Sequence, residues 1–324
     1  MLGFVIQRCL QAVAVMLVMS VIVFVGVYAI GNPIEVLIPP EAPQDIRAET
    51  IARFGLDRPL WEQYFVFLGN LTQGDFGRSF IYNMPVLELI LSRLPASIEL
   101  AFAAVLGATL LGIPLGIYAG YRPDGVVART IMAVSILGFS VPTFWVGLIL
   151  ILTFAVSLGW LPAGGRGETV LLFGVPWSFV TANGLSHLLL PAVNLSLFKL
   201  AMMIRLARAG TREAMLTDVV KFARAAGLSE TTILTRHVLK LISIPIVTVF
   251  GLELGSTLAF AIVTETIFSW PGVGKLIIDS ITSLDRPVMV AYLILIAFLF
   301  VTINLIVDVI YAALDPRLRR GKAS

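Results

Sequence analysis

An all-α polytopic membrane protein, with six transmembrane helices and both termini in the cytoplasm, is the fold class this sequence predicts. Three observations predict it. Of the 324 residues, 58% are hydrophobic and 13% charged, against about half and about a quarter in soluble domains, and mean hydropathy is +0.95. Six apolar runs reach the length of about 20 residues that crosses the hydrocarbon core. Lys and Arg gather on alternate connections. Arg8, Arg122, Arg129, Arg205, Arg208, Arg212, Lys221, Arg224, Arg236, Lys240, Arg317, Arg319, Arg320 and Lys322 would share one side; the short loops opposite carry Arg166, Lys275 and Arg286. The positive-inside rule makes the first side cytoplasmic.

Residues 1–30 hold an N-terminal segment and the first span, whose apolar run is 9–30. That run is too long for a signal-peptide core and shows no clear small-x-small cleavage site, so it reads as an uncleaved helix. Residues 31–95 mix acids and arginines with Pro33, Pro39, Pro40, Pro43 and Pro59. They predict a small extracytoplasmic domain, exempt by its length from the charge rule. Trp61, Tyr64, Phe65 and Phe67 within it suggest a short amphipathic helix.

Residues 96–314 predict a five-helix transmembrane core. In its first helix (97–119), Gly112, Gly116 and Gly120 share one face, which suits bundle packing or a homodimer contact. The next span (130–158) contains Pro142, expected to kink it. Trp160 and Trp177, in the loop 159–186, suit a membrane interface. The fourth and fifth spans are expected at 187–204 and 241–263, the latter with Gly251 and Gly255 at small-xxx-small spacing. A loop at 264–287 is expected to hold a re-entrant or interfacial helix near 275–281. The sixth span follows at 288–314, and residues 315–324 form a basic cytoplasmic tail.

A polar, basic insertion at 207–240 separates the fourth and fifth spans. Val219, Val220, Ala223 and Ala226 fall at helical spacing and Gly227 is a natural stop. A second helix then runs toward Pro245. Such a helix–Gly–helix pair is shaped to touch something outside the membrane.

Lys199, Glu253 and Asp308 lie at apparent membrane depth, where a bare charge costs at least about 2.5–3.5 kcal/mol. They should face the bundle interior, a partner chain or water. They either line a translocation path or pair structurally, Lys199 with Glu253, with Asp308 capping a packed helix.

Other chemistry is not legible. Ser269 stands where the first glycine of a Walker A loop should be and Leu276 where Ser or Thr should hold magnesium. No catalytic constellation is found, so the chain reads as not an enzyme and without cofactors. One cysteine, Cys9, and two histidines, His187 and His237, cannot build a metal cluster by themselves. The basic residues hug membrane boundaries, which gives nucleic-acid binding no support. A secondary transporter would show an internal repeat with broken helices, and no repeat between the halves is seen.

The insertion resembles the cytoplasmic coupling loop of bacterial ABC importer permeases. In the general pattern, Glu-Ala-Ala, three residues, then Gly, the Glu and first Ala are absent: Lys221, Phe222 and Ala223 stand there, followed by Gly227. Residues 218–228, DVVKFARAAGL, are closer to the variant of the peptide/nickel branch, near Asp-Tyr-x-x-x-Ala-Arg-Ala-Lys-Gly-Leu. Asp218, Ala223, Arg224, Ala225, Gly227 and Leu228 match it; Val219 and Ala226 depart; His237, Leu239 and Pro245 continue it. The likeness to dipeptide/oligopeptide permeases covers nearly the whole chain. It includes Phe54-Gly55-Leu56-Asp57-Arg58-Pro59-Leu60, Gly74-Asp75-Phe76-Gly77 with Ser79, and Arg93-Leu94-Pro95. It also includes Glu265-x-Ile267-Phe268-x-x-Pro271-Gly272-x-Gly274, Asn304-Leu305-x-Val307-Asp308 and Asp315-Pro316-Arg317. Leu284-Asp285-Arg286-Pro287 and Glu253 depart, the family more often having Arg-Asp-x-Pro and Gln.

The resemblance implies a permease subunit of an ATP-driven importer in the bacterial inner membrane, moving di- or oligopeptides by alternating access. Nickel, glutathione or another solute is the alternative. It further implies a homologous second permease in a heterodimer, two cytoplasmic ATPase subunits and an extracytoplasmic solute-binding protein. The residues from Asp218 to Leu228 would carry the motion of the ATPases into the spans.

Overall fold

The structure, a computed structural model, describes residues 2–29, 43–45, 51 and 57–314. The motif positions Phe54 to Leu56 and Asp315 to Arg317, and the tail 315–324, lie outside them. Helix α1 (Leu2–Ala29) carries an apolar stretch, Ile6–Gly26, long enough to cross the membrane. It packs antiparallel on the last helix: Val23 meets Ile294 in a buried cluster, and Arg8 Nη1 lies 3.2 Å from Asp308 Oδ2. The expected amphipathic helix is α2 (Leu60–Thr72). Tyr64 ties it to α1, its hydroxyl 2.8 Å from Ser20 Oγ and its ring edge-on to Phe24.

Helix α3 (Val86–Tyr121) starts well before the expected position 97. Exposed Glu88 gives its first turns an extramembrane look, but Val86, Leu89 and Ile90 on the other face are buried against later helices. A sharper difference comes next. Pro142 does more than kink the span: it breaks it into two helices, α4 (Val126–Ser140) and α5 (Thr143–Leu150), with a bend of 104° between Val126–Ser140 and Thr143–Ser157. Proline forces its predecessor out of the helical region, and Val141 is extended at φ −86°, ψ 132°. α5 runs on through a π-helical segment, Ile151–Ser157. A small antiparallel hairpin, β1 (Val170–Leu172) and β2 (Val175–Trp177), follows.

Helix α6 (Ala182–Met215) is capped by the Thr181 hydroxyl, which accepts from Gly184 N–H at 2.8 Å. Beyond it come α7 (Asp218–Ala225), the single turn α8 (Glu230–Thr232), a π-helical segment (Ile233–Val238) and α9 (Leu239–Phe260). The outer connection is folded into α10 (Ile262–Ile267) and α11 (Val273–Thr282), which covers the expected 275–281, and α12 (Arg286–Leu314) closes the bundle.

The glycine stripe of α3 packs within the chain, against α6. A Cβ on Gly112 would lie 2.6 Å from Met203 Cβ. One on Gly116 would lie 2.6 Å from both Ala207 Cβ and the Ile204 carbonyl, and one on Gly120 would lie 2.7 Å from the Arg208 carbonyl. The numbers rise together along both helices, so α3 and α6 run in the same direction. The chain between them must therefore recross the bilayer, and the bent pair α4–α5 does so. Five described helices are long and apolar enough to span alone, and this pair makes the sixth crossing. α9 and α12 pack antiparallel through Gly251 against Val307 and Gly255 against Ile303. These directions bring Arg8, Arg122, Arg212, Lys240 and Asp308 to one end of the bundle.

Candidate functional site

At that end the chain makes an elbow between α6 and α9. Asp218 is the first residue of α7, where a carboxylate favours the positive end of the helix dipole. α7 is two-faced. Val220 and Ala223 are buried with Ala207 and Ala214 of α6 and with Ile233, Val238 and Ile242 beyond the elbow. On the other side Val219 and Phe222 are 51% and 77% exposed, and Leu216, at the end of α6 just before α7, is 76% exposed. A 420 Å³ depression opens between Asp218, Phe222, Leu228 and His237.

The turn itself is tightly specified. Gly227 has φ +80°, a left-handed conformation that glycine adopts without steric cost. Its N–H donates to the Arg224 carbonyl at 3.1 Å, and Leu228 N–H donates to the Ala223 carbonyl at 3.2 Å. This is the Schellman arrangement, which satisfies carbonyls that the helix end would orphan. Ser229 Oγ accepts from Thr232 N–H at 3.3 Å and starts the next helix. Across the turn Arg224 donates twice to Glu230, at 2.7 and 3.1 Å. Of the six motif residues, Ala223 points into the core; Asp218, Arg224, Ala225, Gly227 and Leu228 are exposed. Asp218 and Lys221 pair at 3.0 Å in full solvent, which adds little stability.

The three residues expected at membrane depth are each partnered or near a partner. Lys199 Nζ donates to Glu253 Oε2 at 3.1 Å, with both side chains largely buried. Asp308 meets Arg8, so it does not join the other two.

Three carboxylates at the opposite end carry more of the architecture than the sequence suggests. Glu99 was absent from the expected set, although a lone acid one turn inside an apolar run is a readable signal. It is buried and accepts from Ser178 N–H at 2.9 Å, Ser178 Oγ at 2.7 Å and Phe179 N–H at 2.6 Å. Arg166 closes on its other oxygen at 2.8 and 3.1 Å. This clamp fixes the base of the hairpin. Glu265 accepts from Ser97 Oγ at 2.5 Å and from Lys275 N–H at 3.0 Å, so it caps α11. Burial pushes its carboxyl above the ordinary range, against the pull of those donors. Asp285 accepts from Ser79 Oγ at 2.5 Å and from Phe80 N–H at 3.1 Å. The motifs around Ser79, Glu265 and Asp285 thus meet in space as one outer scaffold.

Removing one partner of a buried ion pair costs about 3–5 kcal/mol. Arg166→Met is therefore expected to loosen residues 166–181, read as faster amide exchange at Ser178 and Phe179. Unchanged exchange there would show that Glu99 is held by its other bonds alone.

The fold class is that of an all-α multi-pass membrane protein. The description "binding-protein-dependent transport system inner membrane component" fits residues 112–320, and the N-terminal part of the same system's membrane component fits residues 1–101. The chain is 40% identical over 308 residues to the di/tripeptide transport system permease protein DppB of Pseudomonas aeruginosa, covering 90% of this chain and 91% of that one. It is 36% identical to the oligopeptide transport system permease protein AppB of Bacillus subtilis and 35% identical to the glutathione transport system permease protein GsiC of Escherichia coli, each across 98% of this chain and 99% of the other. Among solved structures, a chain of the methionine ABC transporter MetNI, inward facing, superimposes with TM-score 0.56 at 16% identity, covering 71% of this chain and 97% of that chain. That likeness shows the fold.

The chain belongs to the family of binding-protein-dependent transport system inner membrane components, the permease subunits of ABC importers. It is a multi-pass inner-membrane protein. Membership implies ATPase and solute-binding-protein partners in general terms, and permease subunits are not themselves enzymes.

Proposed function

We propose that this chain forms, with a homologous second permease, the path through which an importer moves di-, tri- or oligopeptides. Two cytoplasmic ATPase subunits hydrolyse ATP, and an extracytoplasmic solute-binding protein delivers the solute. The observation that carries the coupling part is the elbow: an apolar face of Leu216, Val219 and Phe222 held out on a capped, ion-paired turn whose other face is anchored in the core. A surface of this kind is built to receive a partner and pass its displacement into α6 and α9. The choice of peptide follows the di/tripeptide and oligopeptide relatives. Glutathione, itself a tripeptide, is the second reading, supported by a relative that aligns along 98% of the chain.

Burying a phenylalanine is worth about 1.5–3 kcal/mol. Phe222→Asp is therefore expected to weaken ATPase binding by at least about tenfold, measured by co-purification of the ATPase subunits with the permease. Uptake of radiolabelled trialanine and of glutathione by cells carrying the whole system, and lacking other peptide importers, ranks the two solutes. Full ATPase binding by Phe222→Asp would sink the docking assignment.

A further inference from the structure

The elbow has two arms, and the structure joins them at two levels. Near the turn, α6 and α9 come close enough that a Cβ on Gly210 would lie 2.8 Å from Ile242 Cγ2. Further into the bundle Lys199 Nζ meets Glu253 Oε2 at 3.1 Å. Both arms advance by the same number of residues between these contacts, from Gly210 back to Lys199 and from Ile242 on to Glu253. At 1.5 Å per residue the two rungs stand about 16 Å apart along the antiparallel arms.

The deep rung is polar where its surroundings are apolar. The Lys199 and Glu253 side chains are 10% and 14% exposed. Ser256 Oγ lies 3.4 Å from the same Glu253 oxygen. An apolar contact between helices can slide with little change in energy. Two opposite charges in a low dielectric cannot separate without leaving each one bare. A pair of this kind therefore resists relative motion of its two helices far more than the Leu and Val contacts around it. Its burial between the arms also sets it apart from groups that line an aqueous lumen.

We propose that Lys199 and Glu253 are positioning residues for transport: their ion pair locks the two arms of the elbow into one rigid wedge. A displacement imposed on α7 then reaches the middle of the membrane in α6 and α9 together. The proposal rests on the reading of the elbow as the ATPase contact.

The test uses the complete transporter, with its ATPase subunits, second permease and binding protein, reconstituted in proteoliposomes with trialanine as the probe. Lys199→Met alone leaves a buried carboxylate and can fail to fold. The working variants are therefore the neutral pair K199M/E253Q and the exchanged pair K199E/E253K. For the neutral pair the ATPase subunits stay bound, and trialanine imported per ATP hydrolysed falls by about tenfold, in the usual range of coupling between sites. The exchanged pair recovers most of that loss. Wild-type stoichiometry in the neutral pair overturns the proposal. So does an exchanged pair that keeps stoichiometry but inverts the preference between Ala-Ala-Lys and Ala-Ala-Asp, since that marks side chains that touch the solute. Failure of the elbow reading shows separately, as unaltered ATPase binding in Phe222→Asp.

Discussion

Gly116→Leu is expected to cut accumulation of the permease in the membrane several-fold or more. The α3 and α6 backbones approach so closely at Gly116 that even a methyl group there would sit 2.6 Å from the Ile204 carbonyl and from Ala207 Cβ. The obstacle is backbone, which cannot rotate away as a flexible side chain does. A leucine must drive the two helices apart along the stripe and strip contacts from Gly112 and Gly120 as well. Overpacking a core costs about 1–3 kcal/mol where side chains can adjust, and this site lies at or above the top of that range. A loss of about 3 kcal/mol raises the unfolded population by about a hundredfold, and losses of this kind cut abundance in cells several-fold. Gly107→Leu is the control, because nothing lies within 4 Å of a Cβ there. Fluorescence-detected gel filtration of membrane extracts separates the outcomes. Monodisperse, normally abundant Gly116→Leu would mean that α3 and α6 are not paired through this stripe.

Gly227→Glu is expected to leave the chain inserted and folded while it separates ATP hydrolysis from uptake. A Cβ at Gly227 meets open space, so the substitution does not clash with the permease itself. It does force an L-residue into the left-handed region at φ +80°, a strain of about 1–2 kcal/mol. Relief of that strain unwinds the bonds from Gly227 and Leu228 to Arg224 and Ala223. It also places a second carboxylate beside Glu230, whose bond to Arg224 spans the turn. A strain of that size corresponds to about a tenfold loss in a coupling equilibrium. Uptake of trialanine should fall by that factor or more, with ATP hydrolysis retained. Gly227→Asn, a residue that tolerates the left-handed region, should lie nearer the wild type than Gly227→Ala. Normal uptake by Gly227→Glu would remove the elbow from the coupling path.

Local features of the fold were legible in the sequence, and contacts between distant segments were not. Apolar length alone gives the spans, and Gly227 gives the end of α7 because a helix stop is written within a few residues. The helix at Val273–Thr282 was visible for the same reason. Pro142 marked the right place with the wrong amplitude: a proline announces a discontinuity, and how far the two pieces swing depends on what they pack against. The start of α3 was hidden because Glu88 reports the solvent face, while Val86 and Ile90 find their partners in α11 and α12. The glycine stripe left open whether its partner was a second copy or another helix of the same chain. Its contact with Met203 and Ala207 settles that, and no spacing rule supplies it. Glu99 and Arg166 meet across 67 positions, and Ser79 and Asp285 across 206; such pairs have no sequence signature. In the candidate site, motif likeness marked the residues of the elbow, and only the structure divides them into an anchored side and an offered side.

The parallel pairing of α3 and α6 has a consequence for how the protein is made. Synthesis runs at about 5–20 residues per second. The glycine face of α3 therefore enters the bilayer on the order of 5–20 s before residues 203–211 of its partner leave the ribosome. During that interval α3 has only lipid on the face built for another backbone. The helix that reverses direction between them, broken at Pro142, must also be threaded before the pair can close. Insertion of this chain is thus ordered by geometry: the fourth crossing completes the second, and an insertase that lets α3 drift away laterally before then would strand it.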